Sequence, residues 1–306
     1  MPDAAPLFSI VIPAYNREKF VGAALRSVMA QSCVDWECIV VDDGSRDGTC
    51  AAVREFAAQE PRIRLLVQAN GGPGAARNTG AAAAKGRYLA FLDSDDLWMP
   101  WTLETYREVL RQADWPEYLA GTLRLFAEDA QTADWIKEPL RIAVYKDATA
   151  ACAHGGVVAG VPMTVVSADV FRRIGGFLED RLNAEDHDLT LRCGDCRGFA
   201  FVAAPVAVAY RQHGDQETAG QAKAMAGMMR LVARERAGDY PGGPARAGER
   251  RRIIAAHARP ACLTAVRAGE PMAAWRLYKA TFFWQLAARR WRFLAGFWLV
   301  LLTGRP

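Results

Sequence analysis

The segment Tyr88-Leu89-Ala90-Phe91-Leu92-Asp93-Ser94-Asp95-Asp96 constrains the chain most strongly. Five mostly apolar residues give way to three acids within four positions. A short apolar run bounded by polar residues reads as a strand buried in a parallel sheet. Carboxylates at its carboxyl end then fall in the crevice where open α/β sheets bind ligands. Acids this close repel one another unless a cation neutralises them, and hard divalent ions use one or two carboxylates together with phosphate oxygens. The plainer alternative is a polar turn in which Asp96 caps the next helix.

Upstream, strands and helices alternate. Strands are expected at Phe8–Ile12, Trp36–Val41 and Ile63–Val67. Helices are expected at about Lys19–Ala30, from Asp47 to Ala58, and from Ala75 to Lys85, where Gly86 ends the last of them. This order predicts right-handed βαβ units and a doubly wound, mainly parallel sheet. A helix is expected from about Trp101 to Leu110, then strands at Tyr118–Phe126, Arg141–Tyr145 and Val161–Val166. Ser167 is expected to cap a helix over 168–174, Asn183 one running to about Cys196, and extended segments at 199–202 and 206–210 follow. Pro241-Gly242-Gly243-Pro244 reads as a linker between basic helical segments.

Charge divides the chain. Residues 221–306 hold 16 Lys+Arg against 4 Asp+Glu, whereas the first 220 hold 22 against 30. The basic end suits an anionic partner. Within it, Phe282, Phe283, Trp284 and Trp291 interleave with Arg289, Arg290 and Arg292 ahead of the apolar run 293–302. That run is 10 residues against roughly 20 needed to span a bilayer. An in-plane amphipathic helix at 282–302 is therefore expected, with a helix packed on a protein surface as the alternative. No recognised nucleic-acid module accompanies the charge. The seven cysteines include a lone Cys193-Gly194-Asp195-Cys196; zinc usually needs a second such pair, so small buried thiols are expected. Met1 to Leu7 is too short for a secretory segment, which predicts a reduced, cytoplasmic setting.

Polar clusters end several of the strands. Asp42 and Asp43 are placed either to accept hydrogen bonds from a base or ribose, or to serve as turn acids. Asn70–Gly74 before a helix offers N–H groups and a positive dipole end suited to a diphosphate, and Arg77 adds a cationic fork. Glu185 and Asp186 open a helix, where first-turn acids need no function, yet a carboxylate there can also act as a general base. His213 near a strand end is either packed or a metal ligand.

The series Ile12-Pro13-Ala14-Tyr15-Asn16-Arg17, Val41-Asp42-Asp43-Gly44-Ser45, Asn70-Gly71-Gly72-Pro73-Gly74-Ala75-Ala76-Arg77-Asn78, Phe91-Leu92-Asp93-Ser94-Asp95-Asp96, Ile174-Gly175-Gly176-Phe177, Glu185-Asp186-His187-Asp188 and Tyr210-Arg211-Gln212-His213-Gly214 resembles the family 2 inverting glycosyltransferases of GT-A fold. The likeness covers about residues 7–217, and Pro73 stands where that family more often has another small residue. The resemblance implies an α/β GT-A catalytic domain at 1–217, with a nucleotide-sugar half at about 7–112 and an acceptor half at about 113–217. A basic helical region at 218–306 follows. It further implies that Pro13, Ala14, Tyr15 and Asp43 hold the nucleotide, Arg77 lies by the diphosphate and Asp93 contacts donor sugar or ribose. Asp95 and His213 would ligate Mg²⁺ or Mn²⁺, and Asp186 would be the catalytic base. The implied reaction transfers a sugar from a nucleotide-sugar donor to a glycan or lipid-linked acceptor in cell-surface polysaccharide or glycolipid synthesis, at the inner face of the cell membrane.

Two other classes compete. An NAD-dependent oxidoreductase needs a GxGxxG turn after its first strand, where this chain has Pro13-Ala14-Tyr15-Asn16. A non-catalytic nucleotide-sugar-binding or scaffold protein would share the fold without turnover.

Overall fold

The computed structural model describes residues 5–213 and 220–303, excluding the side chains of Ala130, Leu302 and Thr303. Gly214 and the expected boundary at 217 lie outside the described residues. In chain order the elements are β1 (Phe8–Ala14), α1 (Val21–Met29), β2 (Trp36–Asp42), α2 (Thr49–Gln59), β3 (Ile63–Val67), α3 (Pro73–Ala83) and β4 (Tyr88–Phe91). Next come β5 (Leu97–Trp98), α4 (Thr102–Gln112), β6 (Tyr118–Ala120), β7 (Leu123–Phe126), β8 (Arg141–Tyr145), α5 (Ala148–His154), β9 (Thr164–Ser167) and α6 (Ala168–Arg173). The rest are α7 (Glu185–Arg192), β10 (Phe199–Ala204), β11 (Val208–Arg211), α8 (Gln221–Ala237), α9 (Ala247–Arg267), α10 (Pro271–Ala287) and α11 (Trp291–Thr303).

These elements fall into two compact units. One gathers the described parts of Met1–Ala148, Val158–Arg181 and Cys196–Gly214; the other gathers Thr149–Val157, Leu182–Asp195 and the described part of Asp215–Pro306. The first contains an eight-stranded sheet in the order β3-β2-β1-β4-β9-β6-β10-β8. Its β3-β2-β1-β4 half is parallel, while β9 runs antiparallel to both β4 and β6, and β8 is an antiparallel edge. β1, β2 and β4 are buried along their whole length, which is why they read as continuous apolar runs instead of alternating ones. The fold is a GT-A type α/β sheet with a helical C-terminal region, as expected.

Two local readings are corrected. The strand expected over Tyr118–Phe126 breaks into β6 and β7, which belong to different sheets. Gly121 sits at the break, where an added Cβ would lie 2.9 Å from the Ala207 Cβ, so only glycine permits that approach. β7 joins β5 and β11 in a three-stranded sheet, and β11 leads to His213. The strand expected at Val161–Val166 begins instead as a 3-10 turn, Val161–Met163, before β9.

The second unit has its own apolar core, in which Leu231, Ile254, Cys262, Leu277 and Phe297 are fully buried. The segment expected as a linker, 241–244, is a pinned turn. Arg250 donates to the carbonyls of Pro241 at 2.7 Å and Gly243 at 3.0 Å while pairing with buried Glu235 at 2.6 Å. α11 turns Phe293, Leu294, Phe297 and Val300 into the core, and its opposite face carries exposed Trp291, Trp298 and Leu299.

Candidate active site

In the sheet unit, the polar clusters sit where the parallel strands end. β1 runs out at Ala14, whose carbonyl accepts the Asp43 N–H at 2.8 Å, so Pro13, Ala14 and Tyr15 lie beside the end of β2. Tyr15 is exposed there. Both carboxylate oxygens of Asp43 are engaged. Oδ1 accepts from Gln68 Nε2 and the Gly71 N–H, each at 2.8 Å, and Oδ2 accepts from the Gly72 N–H at 2.7 Å. Two N–H groups of the glycine turn thus hold Asp43, because a buried carboxylate needs donors and the adjacent turn supplies them.

Arg77, on the first turns of α3, is buried and pairs with Asp93 Oδ1 at 2.7 Å. Its guanidinium lies 5.3 Å from the centre of the Phe177 ring. Phe177 is held in turn by Asn78, which accepts its N–H at 2.8 Å and donates to its carbonyl at 2.9 Å. This explains why the Ile174–Phe177 motif accompanies the α3 motif: it forms the surface against which Arg77 packs.

Asp95 faces a different set of partners. Its Oδ2 lies 2.9 Å from His213 Nε2 and 3.4 Å from Arg17 Nε. The His213 ring stacks on Phe20 at 4.6 Å. A carboxylate oxygen and an imidazole nitrogen in contact form a donor pair that suits a divalent ion, with phosphate and water completing its shell. Among the described residues no third His, Cys, Asp or Glu joins them.

Asp96 does not cap a helix; β5 follows it, and α4 begins at Thr102. Its Oδ1 accepts the Arg211 N–H at 2.9 Å, two residues before His213. Burial, together with neighbouring Asp93 and Asp95, pushes its carboxyl well above the usual range. Asp96 therefore positions the His213 strand end, a role without a local sequence signal. Arg17 also escaped assignment, although it lies inside the Ile12–Arg17 motif.

Asp186 belongs to the helical unit, at the second position of α7; the residue preceding the helix is Ala184, in a left-handed conformation, and not the expected Asn183. Oδ1 of Asp186 accepts from the His187 backbone N–H at 2.7 Å and from His187 Nδ1 at 2.5 Å. Burial raises the Asp186 carboxyl, but the charge and the hydrogen bonds of His187 outweigh it and hold the group below the usual range. Asp188, two residues on and so toward the other side of α7, is fully buried. It takes Arg192 Nε at 2.7 Å, Tyr240 Oη at 2.9 Å and Arg234 at 3.1 Å, tying α7 to α8. The Asn183 carbonyl occupies the space that a side chain at Gly227 of α8 would need, so α7 is entered against a glycine. All seven cysteines are free thiols.

Residues 9–203, more than half of the chain, match the domain described as Glycosyl transferase family 2. The chain belongs to that family. Among curated relatives, the putative teichuronic acid biosynthesis glycosyltransferase TuaG of Bacillus subtilis is 34% identical over 149 residues, which is 48% of this chain and 59% of TuaG. The Escherichia coli enzyme WfgD, a UDP-Glc:alpha-D-GlcNAc-diphosphoundecaprenol beta-1,3-glucosyltransferase, is 46% identical over 100 residues, 32% of this chain and 38% of WfgD. The match spans less than two thirds of the length of these relatives. Among solved structures, this family 2 chain resembles S. aureus TarS 1–349 in complex with UDP-GlcNAc, with a TM-score of 0.60 at 15% identity, covering 93% of this chain and 91% of that one. It also resembles the Pyrobaculum calidifontis mannosyltransferase PcManGT in complex with GDP-Man and Mn²⁺, at TM-score 0.56 and 19% identity, covering 100% and 89%. At such identities the likeness shows the fold.

Proposed function

We propose that the protein is a metal-assisted, inverting glycosyltransferase that moves a sugar from a nucleotide-sugar donor to a hydroxyl of a glycan or lipid-linked acceptor. The contact between Asp95 and His213 carries this reading, because it places a hard carboxylate and an imidazole nitrogen together at the end of the parallel sheet. Those residues would hold Mg²⁺ or Mn²⁺, which when bound supplies positive charge toward a departing diphosphate. The complexes of TarS with UDP-GlcNAc and of PcManGT with GDP-Man and Mn²⁺ support the donor class and the ion.

In this reading Pro13, Ala14 and Tyr15 line the nucleotide pocket, and Asp43 acts at its base both directly and by shaping the glycine turn. Arg77 stands by the diphosphate, and Asp93, its partner, meets donor sugar or ribose. Asp186 takes the acceptor's proton as the hydroxyl oxygen bonds to the anomeric carbon and the bond to the diphosphate breaks. One displacement from the opposite face inverts that carbon. Asp188 is excluded from the base role by its burial and its three partners.

The same reading places the protein peripherally at the inner face of the cell membrane, in cell-surface polysaccharide or glycolipid synthesis. No helix among the described residues is long and apolar enough to cross a membrane. Phe283 of α10 and Trp291 and Leu299 of α11 are 75%, 60% and 60% exposed, and Lys279, Arg289 and Arg292 of the same helices and their connecting turn are exposed as well. Aromatic and basic side chains together favour the lipid–water interface.

Incubation with a panel of nucleotide sugars, Mn²⁺ and candidate acceptors tests the activity. Acceptor-dependent release of nucleoside diphosphate is expected, with the transferred sugar inverted at its anomeric carbon. Binding of a donor without release under any acceptor would favour the non-catalytic alternative.

A further inference from the structure

Beside Asp186 the helical unit holds a second histidine that the family motif does not include. His257, on α9, meets the ring of His187 edge to face, with centroids 3.9 Å apart. His187 Nδ1 must donate to Asp186 Oδ1, since a carboxylate only accepts, and the His187 backbone N–H donates to the same oxygen. Both donors converge on Oδ1, which aims Oδ2 elsewhere.

Two imidazoles in ring contact cannot both be charged at low cost, for the same reason that two adjacent carboxylates cannot. The surroundings decide which one is. Burial lowers the tendency of His187 to hold a proton, but Asp186 and, less strongly, Glu185 outweigh it, so His187 stays protonated above the ordinary histidine range. His257 faces His187, Asp186 and Arg290; burial first, then the positive His187, push it down to about 3, with Arg290 adding to the effect and Asp186 opposing it. Arg290 is itself crowded by Arg259 and Arg252. The positive surroundings of His257 thus come from α7 and from the turn between α10 and α11.

We propose that His187 and His257 are positioning residues that hold one proton between them beside Asp186: His187 carries it and orients the carboxylate, and His257 stays neutral against its ring. This rests on Asp186 being the base. Oδ2 is then the oxygen that receives the acceptor's proton. Once it does, His187 no longer faces a carboxylate, and the surplus proton leaves the cluster to water, restoring the ion pair.

The test is a pH titration of histidine ring protons by NMR on the full chain, assigned with single variants among the four histidines. No substrate is needed, so the outcome is independent of the catalytic reading. His187 should titrate above the ordinary range and His257 should remain neutral down to at least pH 5. In His187→Phe, the midpoint of His257 should rise; in Asp186→Asn, that of His187 should fall. A merely structural contact would leave both near their ordinary values and unmoved by each other's replacement, and that result overturns the proposal. If the titrations couple as stated but Asp186→Asn retains full transfer, the histidine couple stands and the base assignment fails.

Discussion

The carboxylate of Asp96 accepts the backbone N–H of Arg211 at 2.9 Å, joining the acidic turn after β4 to a strand 115 residues later. His213 lies two residues beyond, so the bond anchors the strand that leads to His213 against the turn that carries Asp95. Replacing Asp96 by Ala strips a buried N–H of its acceptor and should cost about 1–3 kcal/mol in chemical denaturation. Asp96→Asn keeps an acceptor oxygen and should cost clearly less. Equal losses in the two variants would mean that the bond is not what Asp96 contributes.

Asp95→Asn should remove metal-dependent nucleotide binding while leaving the fold intact, since one charge fewer relieves repulsion with Asp93 and Asp96. Calorimetric titration of UDP or GDP in the presence and absence of Mn²⁺ measures it. Affinity with Mn²⁺ should fall by at least the roughly 10–100-fold seen when metal sites are disturbed. An unchanged Mn²⁺-dependent affinity would refute the ligand role.

The two acids of α7 should separate cleanly. Asp186→Asn is expected to retain donor binding and lose transfer by about 10²–10⁴-fold, the usual contribution of a general base. Asp188→Asn is expected to destabilise instead, because a buried carboxylate shared by Arg192, Arg234 and Tyr240 is removed. Breaking such a buried pair costs roughly 3–5 kcal/mol. Near-normal turnover in Asp186→Asn with intact binding would move the base elsewhere.

For the C-terminal helices the informative changes are on the surface. Truncating α11 would remove Phe293, Leu294, Phe297 and Val300 from the core of the helical unit, so loss of membrane binding could not be told from unfolding. Arg289→Glu with Arg292→Glu should weaken flotation with anionic vesicles far more than with neutral ones, by about 1 kcal/mol per residue. Phe283→Ser with Leu299→Ser should weaken both. High salt should reproduce part of the arginine effect by screening. Wild-type protein that never floats with anionic vesicles would refute the membrane contact.

The parallel half of the sheet is legible in the sequence, because buried strands and amphipathic helices write their periods locally: β1 to β4 and α1 to α3 fall within a few residues of where the apolar runs place them. Asp93 and Asp95 are legible too, since a charged cluster at a strand end is visible without a partner, and Arg77 and His213 stand out through the motifs that hold them. What those groups touch is set by the tertiary structure. The N–H groups of Gly71 and Gly72 are given to Asp43, Asp96 serves a strand far along the chain, and Asp188 is a packing anchor while Asp186 is not. The break between β6 and β7 depends on Gly121 meeting Ala207, and the partner of His187 comes from a helix 70 residues on. Each of these is a contact between residues remote in sequence, chosen by burial and by the need of buried polar groups for partners, and no local pattern encodes which partner it will be.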